Sequence, residues 1–123
     1  MKRRVLLIGL MLAAAPLAAA SAMPVETFLA KADALEKKGA MAMFSKDLKL
    51  LMNQVKKDSR ELVAANKAAE AAGRTKAYCT PAKGVKLGTR DMLDAMRAVP
   101  PAQRARTSSK DALRAYLARR YPC

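Results

Sequence analysis

Histidine and tryptophan are absent from the 123 residues, and Phe28, Phe44, Tyr78, Tyr116 and Tyr121 are the only aromatic side chains. Without histidine the chain lacks the commonest general base and the commonest metal ligand. A zinc site would have to be built from cysteine and carboxylate alone, and only Cys79 and Cys123 are available. Nor is there a glycine-rich phosphate loop, since Gly84 and Gly88 sit in a loop segment without the strand–helix context that such a motif requires. Asp91 and Asp94 could be imagined as paired carboxylates for glycoside hydrolysis. They fall in the first turns of a short helical segment, where the helix dipole favours acidic side chains in any case. Ser45, Ser108 and Ser109 each precede or open a periodic segment and read as helix caps rather than nucleophiles. The expectation is a protein that is not an enzyme and holds no cofactor and no metal.

Acidic residues are also scarce, 10 against 24 Lys and Arg, a net charge of +14. The only long apolar run lies at the start. Lys2-Arg3-Arg4 precedes an apolar stretch from Val5 to Leu12, Pro16 interrupts it, and Ala20-Ser21-Ala22 places small residues before Met23. That is the layout of a secretory signal peptide cleaved near Ala22-Met23, with Ala18-Ala19-Ala20 as an alternative site. A membrane anchor would need roughly 20 strongly apolar residues, and much of Val5 to Ala20 is alanine. The expected organisation is a leader over 1–22 and a single helical domain over 23–123, exported to a bacterial periplasm. Losing Lys2, Arg3 and Arg4 lowers the net charge from +14 to +11. Such an excess favours anionic partners, and an exported protein is expected to meet acidic protein surfaces, lipid headgroups or glycans rather than nucleic acid.

In an oxidising compartment an even number of cysteines reads as a disulfide, and two cysteines allow one intramolecular pairing, Cys79 with Cys123. The staple matters because so much of the apolar fraction is alanine and so little is aromatic.

Along the chain the apolar residues recur at helical spacing, and no strand-like alternation is found. The pattern predicts an all-α domain of four helices. The first runs from about Val25 to Lys38 with Phe28, Leu29, Ala32 and Leu35 inward, and Lys37-Lys38-Gly39 reads as its stop. An apolar connection, Gly39 to Phe44, leads to Ser45 as the N-cap of a long helix from about Lys46 to Ala72. That helix carries an apolar stripe of Leu48, Leu51, Met52, Val55, Leu62, Val63 and Ala69. Ser59 and Asn66 interrupt the stripe, which predicts looser packing in its second half. A loop from Gly73 to Gly88 follows, then a third helix from Arg90 to about Val99 capped by Thr89 and ended by Pro100-Pro101. The last helix, from about Ser109 to Arg120, buries Leu113, Tyr116 and Leu117.

On the long helix Lys49, Lys56, Arg60 and Lys67 recur at spacings of seven, four and seven and share a narrow arc well away from the apolar stripe. With the loop lysines Lys83 and Lys86 they form the candidate partner-binding set, the alternative being an ordinary solvated face.

The Cys79-x-Pro81 loop after a long helix, the proline-terminated third helix and the ending Ala118-Arg119-Arg120-Tyr121-Pro122-Cys123 resemble the Rap/Tai-type immunity proteins of type VI secretion. The resemblance covers most of the chain from about Val25. It implies a small helical periplasmic protein, often a homodimer, that binds and blocks an injected cell-wall amidase. Two other readings fit the composition: a periplasmic stress chaperone, and a binder of anionic envelope components. Against the chaperone stand the absent histidine and the few carboxylates, which leave little to titrate as pH falls.

Overall fold

A computed structural model describes residues 22–123; the expected leader, apart from Ala22, lies outside the described residues. The domain is all-α, with α1 over Val25–Lys38, α2 over Lys46–Ala71, α3 over Thr89–Arg97 and α4 over Ser109–Arg120. Two short 3-10 turns, Gly39–Phe44 and Pro101–Gln103, complete the regular structure. Among the described residues, the only extended pairing is an isolated antiparallel bridge between Pro24 and Ser108. None of these helices is long and apolar enough to cross a membrane.

Local chemistry explains where each helix starts and stops. α1 has no side-chain cap. Its first amides instead donate to a distant segment, Val25 N to Thr107 O at 2.8 Å and Glu26 N to Arg104 O at 3.1 Å, so orphan donors at the helix start are satisfied by tertiary contacts. Its far end stops at Gly39, whose φ of 57° is open to glycine at little cost. Ser45 caps α2 by accepting the Asp47 amide at 3.2 Å, and Ser108 caps α4 by accepting the Asp111 amide at 3.1 Å. The expected cap of α3 moves by one residue. Gly88 is the N-cap, Thr89 is already helical, and the Asp91 carboxylate reaches back to accept the Gly88 amide at 2.8 Å. α3 ends at Arg97 rather than Val99; Arg104 caps it by donating to the carbonyls of Val99 at 2.8 Å and Arg97 at 3.1 Å.

α4 packs against α2 and α3, and α1 lies across all three other helices. The core they enclose is built from Val25, Phe28, Leu29, Leu35, Leu51, Leu62, Tyr78, Met92, Met96, Leu113 and Leu117. Phe44 does not join it and is 84% exposed; Tyr116 and Tyr121 lie at its edge, half-buried. The disulfide between Cys79 and Cys123 is formed, with Cα atoms 5.0 Å apart. It ties the loop after α2 to the tail after α4, and the Cys79 amide donates to Tyr121 O at 2.8 Å beside it. A formed disulfide suits a non-reducing, extracytoplasmic environment.

The looser packing expected for the second half of α2 is not found: that half buries Leu62, Asn66 and Ala69, the first half Leu51 and Asp58, and Met52 in the first half is 51% exposed. Val63, expected inward, faces solvent. Asn66 belongs to the buried face because both ends of its amide are used: Nδ2 donates to Tyr78 O at 2.9 Å and Oδ1 accepts the Ala77 amide at 3.0 Å. Two neutral hydrogen bonds to a backbone loop remove the usual objection to a buried amide.

Candidate binding surface

The six lysines and arginines of the candidate set are all exposed. Among the described residues, Lys49, Lys56, Arg60, Lys67, Lys83 and Lys86 have no carboxylate within ion-pair distance. The acids that might have offset them are engaged elsewhere. Asp47 pairs with Lys31 at 3.2 Å, Glu61 with Lys110 at 3.0 Å, and Glu36 with Arg97 at 3.4 Å. Lys110 and, secondarily, Lys57 hold the Glu61 carboxyl below the usual range, Lys110 through a hydrogen bond first.

The structure separates the set into two groups. Lys56 borders an apolar groove of about 450 Å³ that the sequence alone did not reveal. Its floor is Phe28, Ala32 and Leu35 of α1; α2 supplies Leu48, Leu51, Met52 and Val55; Leu87, Met92 and Leu93 close the third side. Lys49 and Lys56 flank Met52 at spacings of three and four, so the three share one exposed stripe beside the groove. Lys86 stands next to Leu87, which lines the opposite side. Arg60 and Lys67 lie further along α2, beyond the groove, and Lys83 sits in the turn that closes with Gly84 N donating to Pro81 O at 2.9 Å.

The groove arises from local sequence. Val85 and Leu87 are half-buried while Lys86 between them is exposed, the alternation of an extended segment. That segment runs into the N-terminus of α3 and leaves Leu87 facing the α1–α2 seam. Asp91 fixes this corner: besides the Gly88 amide it accepts the Tyr116 hydroxyl at 2.8 Å, and Arg120 lies 3.8 Å away. The Gly88 amide, then the Tyr116 hydroxyl, hold its carboxyl below the ordinary aspartate range, and Tyr116 is raised in return by donating to it.

Two further polar residues were missed from sequence. Asp58 is 2% exposed and accepts Ser109 Oγ at 2.5 Å and Gln54 Nε2 at 2.8 Å. Ser109, expected as a cap, is fully buried and forms this α2–α4 bolt, while Ser108 alone does the capping. Both positions follow from contacts 51 residues apart, which leave no local signature. Burial raises the Tyr78 phenol. Among the described residues no group of three or more His, Cys, Asp or Glu is placed to hold a metal ion.

No protein family, no curated protein and no solved structure matches the chain.

Proposed function

We propose that this chain is a non-enzymatic protein-binding domain of the periplasm, delivered there by its Lys2-Arg3-Arg4 leader, and that it docks its partner in the α1–α2–α3 groove. The groove carries the reading. It is a preformed concave apolar surface with the cation Lys56, unpaired among the described residues, on its border, the carboxylate that also lines it, Glu36, being paired with Arg97, the combination that recognition sites use for affinity and orientation. Lys56 sets the positive charge at that border, so the partner is an apolar protuberance, such as one face of a helix, with an acidic residue beside it. The resemblance of the Cys79-x-Pro81 loop and the Tyr121-Pro122-Cys123 ending to Rap/Tai-type immunity proteins makes an injected cell-wall amidase the favoured partner. On this reading the protein performs no chemistry and acts by occlusion.

The test combines capture with physiology. The disulfide-bonded protein should recover a secreted cell-wall hydrolase from envelope and culture fractions, and cells lacking the gene should be lysed by their siblings. Met52→Glu with Lys56→Glu, both at exposed positions, should leave the helical circular dichroism unchanged and fail to protect. Recovery of no hydrolase, or full protection by the double variant, would overturn the proposal.

A further inference from the structure

The Gly39–Phe44 turn is a second feature, separate from the groove and not required by the binding reading. Its composition, Gly-Ala-Met-Ala-Met-Phe, would suit a core, yet Met41 is 67% exposed, Met43 79% and Phe44 84%. The geometry of a 3-10 helix explains this. With three residues per turn, residues three apart eclipse. Ala42 packs against the core, so its face of the turn points inward. The two remaining faces, Ala40 with Met43 and Met41 with Phe44, are left to solvent.

Charge surrounds this apolar tip on both sides. Lys37 and Lys38 end α1, and Lys46 and Lys49 begin α2; all four are exposed. None has a carboxylate partner among the described residues, because the nearby acids are taken: Asp33 and Glu36 by Arg97 and Asp47 by Lys31. An apolar projection with an uncompensated cationic collar matches the interface of an anionic bilayer, where acyl chains lie just beneath phosphate headgroups. A protein partner fits the tip poorly. Even at aromatic-sized areas of about 150–250 Å² each, three side chains offer roughly 450–750 Å², short of the about 800 Å² per partner in a stable interface.

We propose that the Gly39–Phe44 turn is a membrane-docking tip, with Met41, Met43 and Phe44 entering the interfacial layer of an anionic bilayer and Lys37, Lys38, Lys46 and Lys49 engaging its phosphates. Binding of this kind is reversible and weakened by salt, since exposed charges are screened over a Debye length of about 10 Å at 0.1 M. Each lysine near the surface contributes roughly fivefold to partitioning.

The disulfide-bonded chain from Met23, as expected after removal of the leader, carries the described core and the disulfide and serves for the test, which is sedimentation with phosphatidylcholine vesicles carrying about a third phosphatidylglycerol, at about 0.05 M salt. The protein should bind these vesicles, bind pure phosphatidylcholine at least tenfold less, and be released at about 0.5 M salt. Met43→Ser with Phe44→Ser should lower partitioning at least tenfold with unchanged circular dichroism. Lys37→Gln, Lys38→Gln and Lys46→Gln together should do the same through the charge. Absence of binding at low salt, equal binding to neutral vesicles, or wild-type binding by the Met43/Phe44 variant would overturn the proposal. So would concentration-dependent self-association that this variant abolishes, because a second copy would then occupy the tip.

Discussion

At the residue scale, stability depends on polar side chains that a hydrophobic pattern ignores. Ser109→Ala leaves the buried Asp58 carboxylate with Gln54 as its remaining side-chain donor. Burying an under-satisfied carboxylate costs about 1–3 kcal/mol, and urea unfolding of this variant should show a loss of that size with m unchanged. Asn66→Ala removes two hydrogen bonds and strands the Tyr78 carbonyl and the Ala77 amide. A loss of about 2 kcal/mol is expected, accompanied by faster amide exchange over residues 77–79. Neither role was legible in the sequence. Helical periodicity assigns Asn66 and Asp58 to solvent or to a break in the stripe, because their partners come from segments the helix itself cannot specify. Ser109 reads as a cap for the same reason: Ser108 and Ser109 are equally plausible at a helix start until α2 is brought against one of them.

At the scale of elements, the helices themselves were readable because their ends carry local chemistry. α1 matches its expected span on both sides, with Glu26 in its first turn, Lys37 and Lys38 in its last, and Gly39 beyond it. α3 starts one residue before its expected position because Gly88 and Thr89 compete as caps; the Asp91 carboxylate at the third helical position decides in favour of Gly88. The Asp91 corner gives this helix a pH dependence. Its carboxyl is lowered on folding, so the folded state binds fewer protons there than the unfolded chain in the acid range. The stabilisation is complete above the ordinary aspartate pKa of about 3.9 and is lost as pH falls through the lower folded value. Urea midpoints of the wild type should therefore decline below about pH 4, and Asp91→Asn should flatten that part of the decline. A variant whose acid limb matches the wild type would show that Asp91 does not contribute. The groove, by contrast, was invisible: Leu48 reads as an ordinary member of the α2 stripe and Leu87 falls in the Gly73 to Gly88 loop, and only the packed helices bring the two to one cavity.

At the scale of the whole molecule, the staple closes a large loop. Cys79 and Cys123 are separated by 44 residues, and the chain-entropy estimate for such a loop is about 4 kcal/mol. Cys79→Ser with Cys123→Ser, or reduction of the wild type, should lower the free energy of unfolding by up to about that amount. A change below about 1 kcal/mol would mean that Asn66 and the Cys79–Tyr121 backbone bond already restrain the loop in the reduced chain. The staple was legible from the count of cysteines alone, and so was the all-α class. The arrangement of charge was legible only in part. Periodicity put Lys49, Lys56, Arg60 and Lys67 on one exposed ridge, but only the packed helices show that Lys56 meets the groove and that Arg60 and Lys67 do not.

The way α1 begins has a consequence for the order of events during biogenesis. Its first amides are received by the carbonyls of Thr107 and Arg104, and Met23 O in turn accepts the Ser109 amide. A ribosome delivers α1 long before it delivers those acceptors, so the first helix made cannot acquire its permanent start until the last quarter of the polypeptide has emerged. The nascent chain therefore closes its first helix only through contacts of long sequence separation, which form late.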